Sequence, residues 1–172
     1  WNSSGLFQNN LLIGNYASHA AGFMQCHDAK IRNITMYNNR VPAEQGSLRL
    51  PNMGESFFDC SNTIVQNCII WDEEPDSIPQ TLFLEPLPEY CNIQNWADEG
   101  EGNISVDPLF VNPDDNDFHL QKGSPCINAG THIEGLNEDF DGNFRPSGSR
   151  FDMGAFEYPF STGIPARVWN QY

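Results

Sequence analysis

The chain has 172 residues, enough for one domain, or one domain with a tail, and for a continuous core. Hydrophobic residues make up 39% and charged ones 18%, and no apolar run reaches the roughly 18 residues that would mark a bilayer span. A net charge of −15, from 23 acidic against 8 basic residues, argues against nucleic acid as a partner and suits either a solvated acidic surface or bound cations.

The chain opens at Trp1 without an initiator Met, a basic n-region or an apolar h-region. It is therefore expected to be a fragment or a processed product, with any export signal removed or lying upstream. Cys26, Cys60, Cys68, Cys91 and Cys126 are odd in number and lack the CxxC spacing that favours zinc, so a disulfide framework is open but not compelled.

The first organised segment is Phe7-Gln8-Asn9-Asn10-Leu11-Leu12, and fuller copies follow at Phe23 to Asn33 and Phe57 to Asn67. Phe, Cys and Asn coincide in the two later copies at a constant offset of 34 residues, whereas Phe7 lies 24 residues before Ile31. The difference falls in the Pro- and Gly-containing stretch from Arg40 to Glu55, which is read as a loop. Within each copy, apolar residues alternate in short runs that break phase at the Asn and then resume. That pattern fits two short strands meeting at a bend and does not fit a helix.

Repeats of this kind predict an all-β parallel β-solenoid. One coil cannot bury its inner face alone, so coils stack about 4.8 Å apart with equivalent side chains above one another. Asn9, Asn33 and Asn67 are expected to form a corner ladder, since Asn tolerates left-handed backbone and its amide reaches the next coil. Inner ladders are expected from Phe7, Ile31 and Val65 and from Phe23 and Phe57. Cys26 and Cys60 are expected to stack as small hydrophobes rather than to bridge.

The stretch from Asp72 to Glu89 carries four prolines and is read as a second long excursion, after which Tyr90 to Gln94 returns as a strand. The coils thus occupy 1–101, with loops near 40–55 and 72–89. Cys91 and Cys126 both fall where regular coils end, which leaves a bridge between them open. From 102 to 158 turn signals (Gly123-Ser124-Pro125, Asn128-Ala129-Gly130, Asp141-Gly142) dominate, and this segment is expected to cap the open end of the solenoid. Residues 159–172 read as a tail or linker. Nothing in Trp1 to Leu6 resembles a cap, so upstream coils or further copies are expected at the N-terminal edge.

Four C-terminal stretches, in order, carry a resemblance: DPLF at 107–110, DFHLQKGSPCINAG at 117–130, DFDGNFRP at 139–146 and DMGAFEY at 152–158. Together with the upstream repeats they resemble the terminal part of bacterial right-handed parallel β-helix proteins of the pectate-lyase-like kind that carry a choice-of-anchor ending. The resemblance implies a right-handed solenoid that is secreted or attached at the cell surface. Such proteins are often followed by a sorting or anchoring domain, and with only residues 159–172 after the last motif the anchor itself is expected to be absent here.

Asp139, Asp141 and Asn143 place oxygen-bearing side chains on alternate positions around Gly142, as a loop that wraps Ca²⁺ does, and Asp152 or Glu157 would add oxygens. The alternative is that these carboxylates cap turns and pair with Arg145 and Arg150. Lys30 and Arg32 flank inward Ile31 and should face outward, where a lyase of this fold would neutralise a uronate, but no second basic residue reinforces them. His19, His27, His119 and His132 lack metal-ligand spacing and read as surface or turn residues. Tyr37, Trp71 and Trp96 are aromatics that could stack on pyranose rings, with Tyr37 and Trp71 at one repeat position; packing beneath the long loops is the alternative. Of the three N-x-S/T sequons, at Asn2, Asn33 and Asn103, the second is a predicted ladder residue, and glycosylation there would contradict the fold.

The function expected from these features is a non-catalytic extracellular or cell-surface module, adhesive, scaffolding or carbohydrate-binding, with a polysaccharide or cell-surface glycan as partner. Two alternatives stand beside it. One is part of a polysaccharide lyase or glycoside hydrolase acting on acidic polysaccharide; the other is a self-stacking structural or filament subunit joined through its uncapped edge.

Overall fold

A computed structural model of the chain describes residues 5–16, 22–40, 57–58, 60–72, 86–96 and 100–159. The predicted loop at 40–55 apart from Arg40, most of that at 72–89, the tail beyond 159, His19 and Asn2 lie outside the described residues. What is described is nearly all strand and turn, with one 3₁₀ turn at Pro113–Asp115.

Nine short strands come first: β1 (Leu6–Gln8), β2 (Leu11–Ile13), β3 (Phe23–Met24), β4 (Lys30–Arg32), β5 (Thr35–Tyr37), β6 (Phe57–Phe58), β7 (Ile64–Gln66), β8 (Ile69–Trp71) and β9 (Asn92–Ile93). They pair only in parallel, as a three-stranded sheet β1-β4-β7, a four-stranded sheet β2-β5-β8-β9 and the pair β3-β6. The register is the one the repeats predict: Phe7 beside Ile31 beside Val65, and Phe23 beside Phe57. Two antiparallel strands follow, β10 (Phe110–Asn112) and β11 (Asp117–Leu120), joined through the 3₁₀ turn.

Asn9, Asn33 and Asn67 stand at the bends between β1 and β2, β4 and β5, and β7 and β8, with φ of 51°, 49° and 56°. Each bend throws the chain from one sheet to the next, and Asn adopts this left-handed conformation at lower cost than other side chains with a Cβ. At the fourth bend the Asn is missing. Tyr90 takes its place at φ 52°, and the pairs Ile69–Asn92 and Ile70–Ile93 stay in register.

Side chains alternate across β5 and β8, and this alternation divides the interior into two apolar clusters. Ile31, Ile34, Met36, Val65, Cys68, Ile70, Cys91 and Ile93 fill the space enclosed by the parallel sheets, with Phe23 and Phe57 stacked 5.5 Å apart at one side. Tyr37 and Ile69 face the other way, into a second cluster with Phe110, Phe118, Leu120, Cys126, Met153, Ala155 and Phe156. The C-terminal segment therefore covers the outer face of the four-stranded sheet.

This departs from the expectation of an end cap. Only its first part meets the end of the stack, where Ile104 bridges Asn92 and receives the Ile93 N–H at 2.9 Å. Its later part meets the Asn bends at Thr131, Glu138 and Asp152. Asn9 Nδ2 donates to the Glu138 carbonyl at 2.6 Å, Asn33 Nδ2 to the Asp152 carbonyl at 3.1 Å, and Asn67 Nδ2 to the Thr131 carbonyl at 2.8 Å. Thr131 N–H returns a bond to Asn67 Oδ1 at 2.7 Å, and Asn67 Nδ2 also reaches Asn33 Oδ1 at 3.2 Å. Asn33 and Asn67 are wholly buried, so the sequon at Asn33 is closed in this fold.

Two substitutions test this docking. Asn67→Ala leaves the Thr131 N–H and C=O without their partner and places Ala in left-handed backbone, a cost of about 3 kcal/mol in urea unfolding. Gly154 has φ +88°, and a Cβ there would come within 2.7 Å of Ile69 Cδ1 and 2.8 Å of Thr35 Oγ1. Gly154→Ala is therefore expected to lower stability by about 2 kcal/mol or more in the same assay.

Candidate functional site

The outer face of β2, β5 and β8 carries the row Ile13, Tyr37, Trp71, set by parallel register. Tyr37 is only 8% exposed, because Phe110 and Phe118 pack on its ring with centroids 5.8 and 5.0 Å away. Trp71, one strand further on, is half-buried. A cleft of about 360 Å³ opens between this row and the β10–β11 hairpin. Tyr37, Trp71 and Asp72 form its strand side, and Asp107, Leu109, Phe110, Pro113 and Gln121 its hairpin side. The structure thus brings Tyr37 and Trp71 together. Trp96 is elsewhere: it packs against the cluster inside the parallel sheets, and its buried indole N–H meets no acceptor among the described residues.

The polar groups of the cleft are held by the fold. Asp72 is nearly buried; its N–H donates to Gln94 Oε1 at 2.8 Å, and its Oδ1 lies 3.4 Å from Arg40 Nη2. Arg40 Nε in turn donates to Asn38 Oδ1 at 2.7 Å. Asp107 Oδ1 accepts the Leu109 N–H at 2.8 Å, which stabilises the turn into β10. Gln121 Nε2 donates to the Phe110 carbonyl at 2.7 Å, fixing the amide plane and leaving Oε1 for other donors. Aromatic rings flanked by carboxylate and amide oxygens can stack on a sugar ring and accept its hydroxyls.

The residues proposed for calcium form a different arrangement. Asp139 Oδ1 accepts the N–H groups of Asp141 and Asn143 at 2.9 and 2.8 Å, while Oδ2 accepts Asn143 Nδ2 at 3.2 Å and the Glu157 N–H at 2.9 Å. Four donors occupy the acceptor sites that a cation would need. Asp152, fully buried, accepts the Asn128 and Tyr158 N–H groups, both at 2.6 Å. The Asp139 and Asp152 oxygens as placed cap turns by accepting these N–H groups. Among the described residues no cluster of three or more His, Cys, Asp or Glu is positioned for a metal. Arg145 pairs with one of these carboxylates, as the capping alternative expected: it forms a buried ion pair with Glu157 at 2.6 Å. Burial lowers the Arg145 pKa, and Glu157 opposes that shift. Arg150 lies over the Tyr90 ring at 5.3 Å.

Sequence reasoning set aside His119, and the structure gives it two partners. Its Nδ1 lies 2.6 Å from Asp117 Oδ1 and its Nε2 2.8 Å from Asp141 Oδ2, with the ring 4.1 Å from Phe156. Burial lowers the imidazole pKa, but hydrogen bonds to Asp141 and Asp117 outweigh it and the net shift is upward. The spacing Asp117-x-His119 on one strand held half of this signal; Asp141, 22 residues on, gave none. The group ties the hairpin to the Asp139–Asn143 turn. Lys30 is exposed and Arg32 half-buried on β4, with Ile31 buried between them as expected, in a different sheet from the cleft.

All five cysteines are free and buried. Cys91 neighbours Cys68, whose N–H lies 3.3 Å from Cys91 Sγ, while Cys126 belongs to the other cluster and accepts from Asn92 Nδ2 at 3.1 Å. The bridge between Cys91 and Cys126 is thus not formed. Burial pushes the Cys126 thiol up to about 12 and raises that of Cys91. Asn103 is half-buried, accepting the Cys91 N–H and donating to the Pro88 carbonyl. Among the described residues no helix is long and apolar enough to cross a membrane.

No family model, curated protein or solved structure matches the chain.

Burial gives Asp152 a pKa of about 6 against an ordinary 3.8. The folded state therefore binds a proton more tightly than the unfolded chain, and Asp152 lowers stability as pH rises through that window. Relative to Asp152→Asn, the native protein is expected to gain about 2 kcal/mol of unfolding free energy as pH falls from 7 to 4, read from urea titrations at each pH. A gap that stays constant with pH contradicts the assignment.

Proposed function

We propose that the chain is a section of a right-handed parallel β-helix that acts as an extracellular or cell-surface module, binding carbohydrate through the Tyr37–Trp71 cleft. The helical reading is supported by parallel pairing in one register across β1-β4-β7 and β2-β5-β8-β9, with each bend turned by a left-handed Asn or Tyr. Its handedness and its place outside the cell rest on the resemblance carried by the four C-terminal motifs.

The observation that carries the binding reading is the half-buried Trp71 beside a cleft with fixed oxygen acceptors. A rigid aromatic on paired strands presents its face to a pyranose with little ordering cost. Lys30 and Arg32 lie in a different sheet, and among the described residues that line the cleft there is no Lys, Arg or His to assist proton abstraction from a uronate. This favours binding over catalysis. An adhesive or scaffolding role follows if the bound glycan is itself on a surface. Calcium has no part in this reading.

Titration with a panel of oligosaccharides, followed by tryptophan fluorescence, is expected to give saturable binding. Trp71→Ala should weaken it by about tenfold or more, while Trp96→Phe leaves it unchanged. Unsaturated products from a uronate polysaccharide would instead show a lyase.

A further inference from the structure

We infer that the cleft selects uncharged pyranose residues and rejects uronates. This inference rests on the carbohydrate reading of the same cleft and adds the class of sugar. Its described walls contain two carboxylates, Asp72 and Asp107, and no Lys, Arg or His. Recognition of a sugar carboxylate relies chiefly on cationic donors, and the described walls offer none.

The cations near the cleft do not change this. Arg40 is engaged by Asp72 Oδ1 at 3.4 Å and by Asn38 Oδ1 at 2.7 Å, and it does not line the cleft. Lys122 follows Gln121 but lies exposed in a turn and is likewise not part of the lining. The Gln121 amide gives one of its N–H bonds to the Phe110 carbonyl, and Asp107 spends Oδ1 on the Leu109 N–H. What remains toward a ligand is chiefly oxygen acceptor capacity over an aromatic platform. Hydroxyl groups satisfy such acceptors by donating, whereas a ligand carboxylate brings only more acceptors and a like charge. The net charge of −15 adds a long-range repulsion of polyuronates that salt weakens.

The test uses neutral hexose oligosaccharides and oligogalacturonates of equal length, titrated into the intact protein with Trp71→Ala as control. Neutral chains should bind in a Trp71-dependent way, with uronates about tenfold or more weaker at low salt and the gap narrowing as salt is raised. Asp107→Asn keeps the Oδ1 acceptor for Leu109 and removes one charge, so it should narrow the gap several-fold while circular dichroism stays native. Trp71-dependent uronate binding as tight as neutral binding would overturn the inference and leave the carbohydrate reading standing. No binding by either series would overturn that reading itself.

Discussion

The fold depends on buried asparagines that serve two structures at once. Asn33 and Asn67 turn the backbone at their bends in a conformation few residues tolerate, and their side-chain amides reach out to the Asp152 and Thr131 carbonyls. A buried amide left without partners would be costly, so the C-terminal segment completes the bends as much as it covers the sheet. Gly154 N–H donates to the Asn67 carbonyl at 2.7 Å and Ala155 N–H to Thr35 Oγ1 at 3.0 Å, extending the seam onto β5. Strands and flanking segment therefore behave as one packed body.

The cleft follows from that docking. Along the seam, Met153, Ala155 and Phe156 join Tyr37 and Ile69 in the outer cluster, and the same cluster takes Phe110 and Phe118 from the hairpin. His119 fastens the hairpin a second time, to Asp141 in the turn that Asp139 organises. With the hairpin fixed, Asp107 and Gln121 line the same cleft as Trp71. The buried Arg145–Glu157 pair supports the seam from behind, with Arg145 Nη2 donating to the Gly154 carbonyl at 2.9 Å.

Parallel strand pairing was legible in the sequence because parallel stacking puts like residues at like positions. Phe23 over Phe57, Ile31 over Val65 and Tyr37 over Trp71 are all readable from a constant offset. The lateral course of the C-terminal segment was not, since its contacts join residues as far apart as Asn33 and Asp152, which share no period. The same limit explains three further differences. Trp96 was grouped with Tyr37 and Trp71 by residue type, but it follows β9 and turns to the inner cluster. Asp139, Asp141 and Asn143 have the alternation of a cation loop, yet local N–H groups take the Asp139 oxygens. Cys91 and Cys126 are close in the order of elements but lie in different clusters. Nor does composition announce Tyr90 at the fourth bend, where an aromatic stands in for Asn.

Native-state amide hydrogen exchange tests the central claim most directly, because it reads the seam without altering it. If buried Asn bends bind strands and flanking segment into one unit, the Thr131 and Gly154 amides, which donate to the Asn67 side chain and carbonyl, exchange as slowly as the Ile69 amide inside the sheet. Exchange at Thr131 and Gly154 orders of magnitude faster than at Ile69 would show a segment that opens on its own, and would contradict the account.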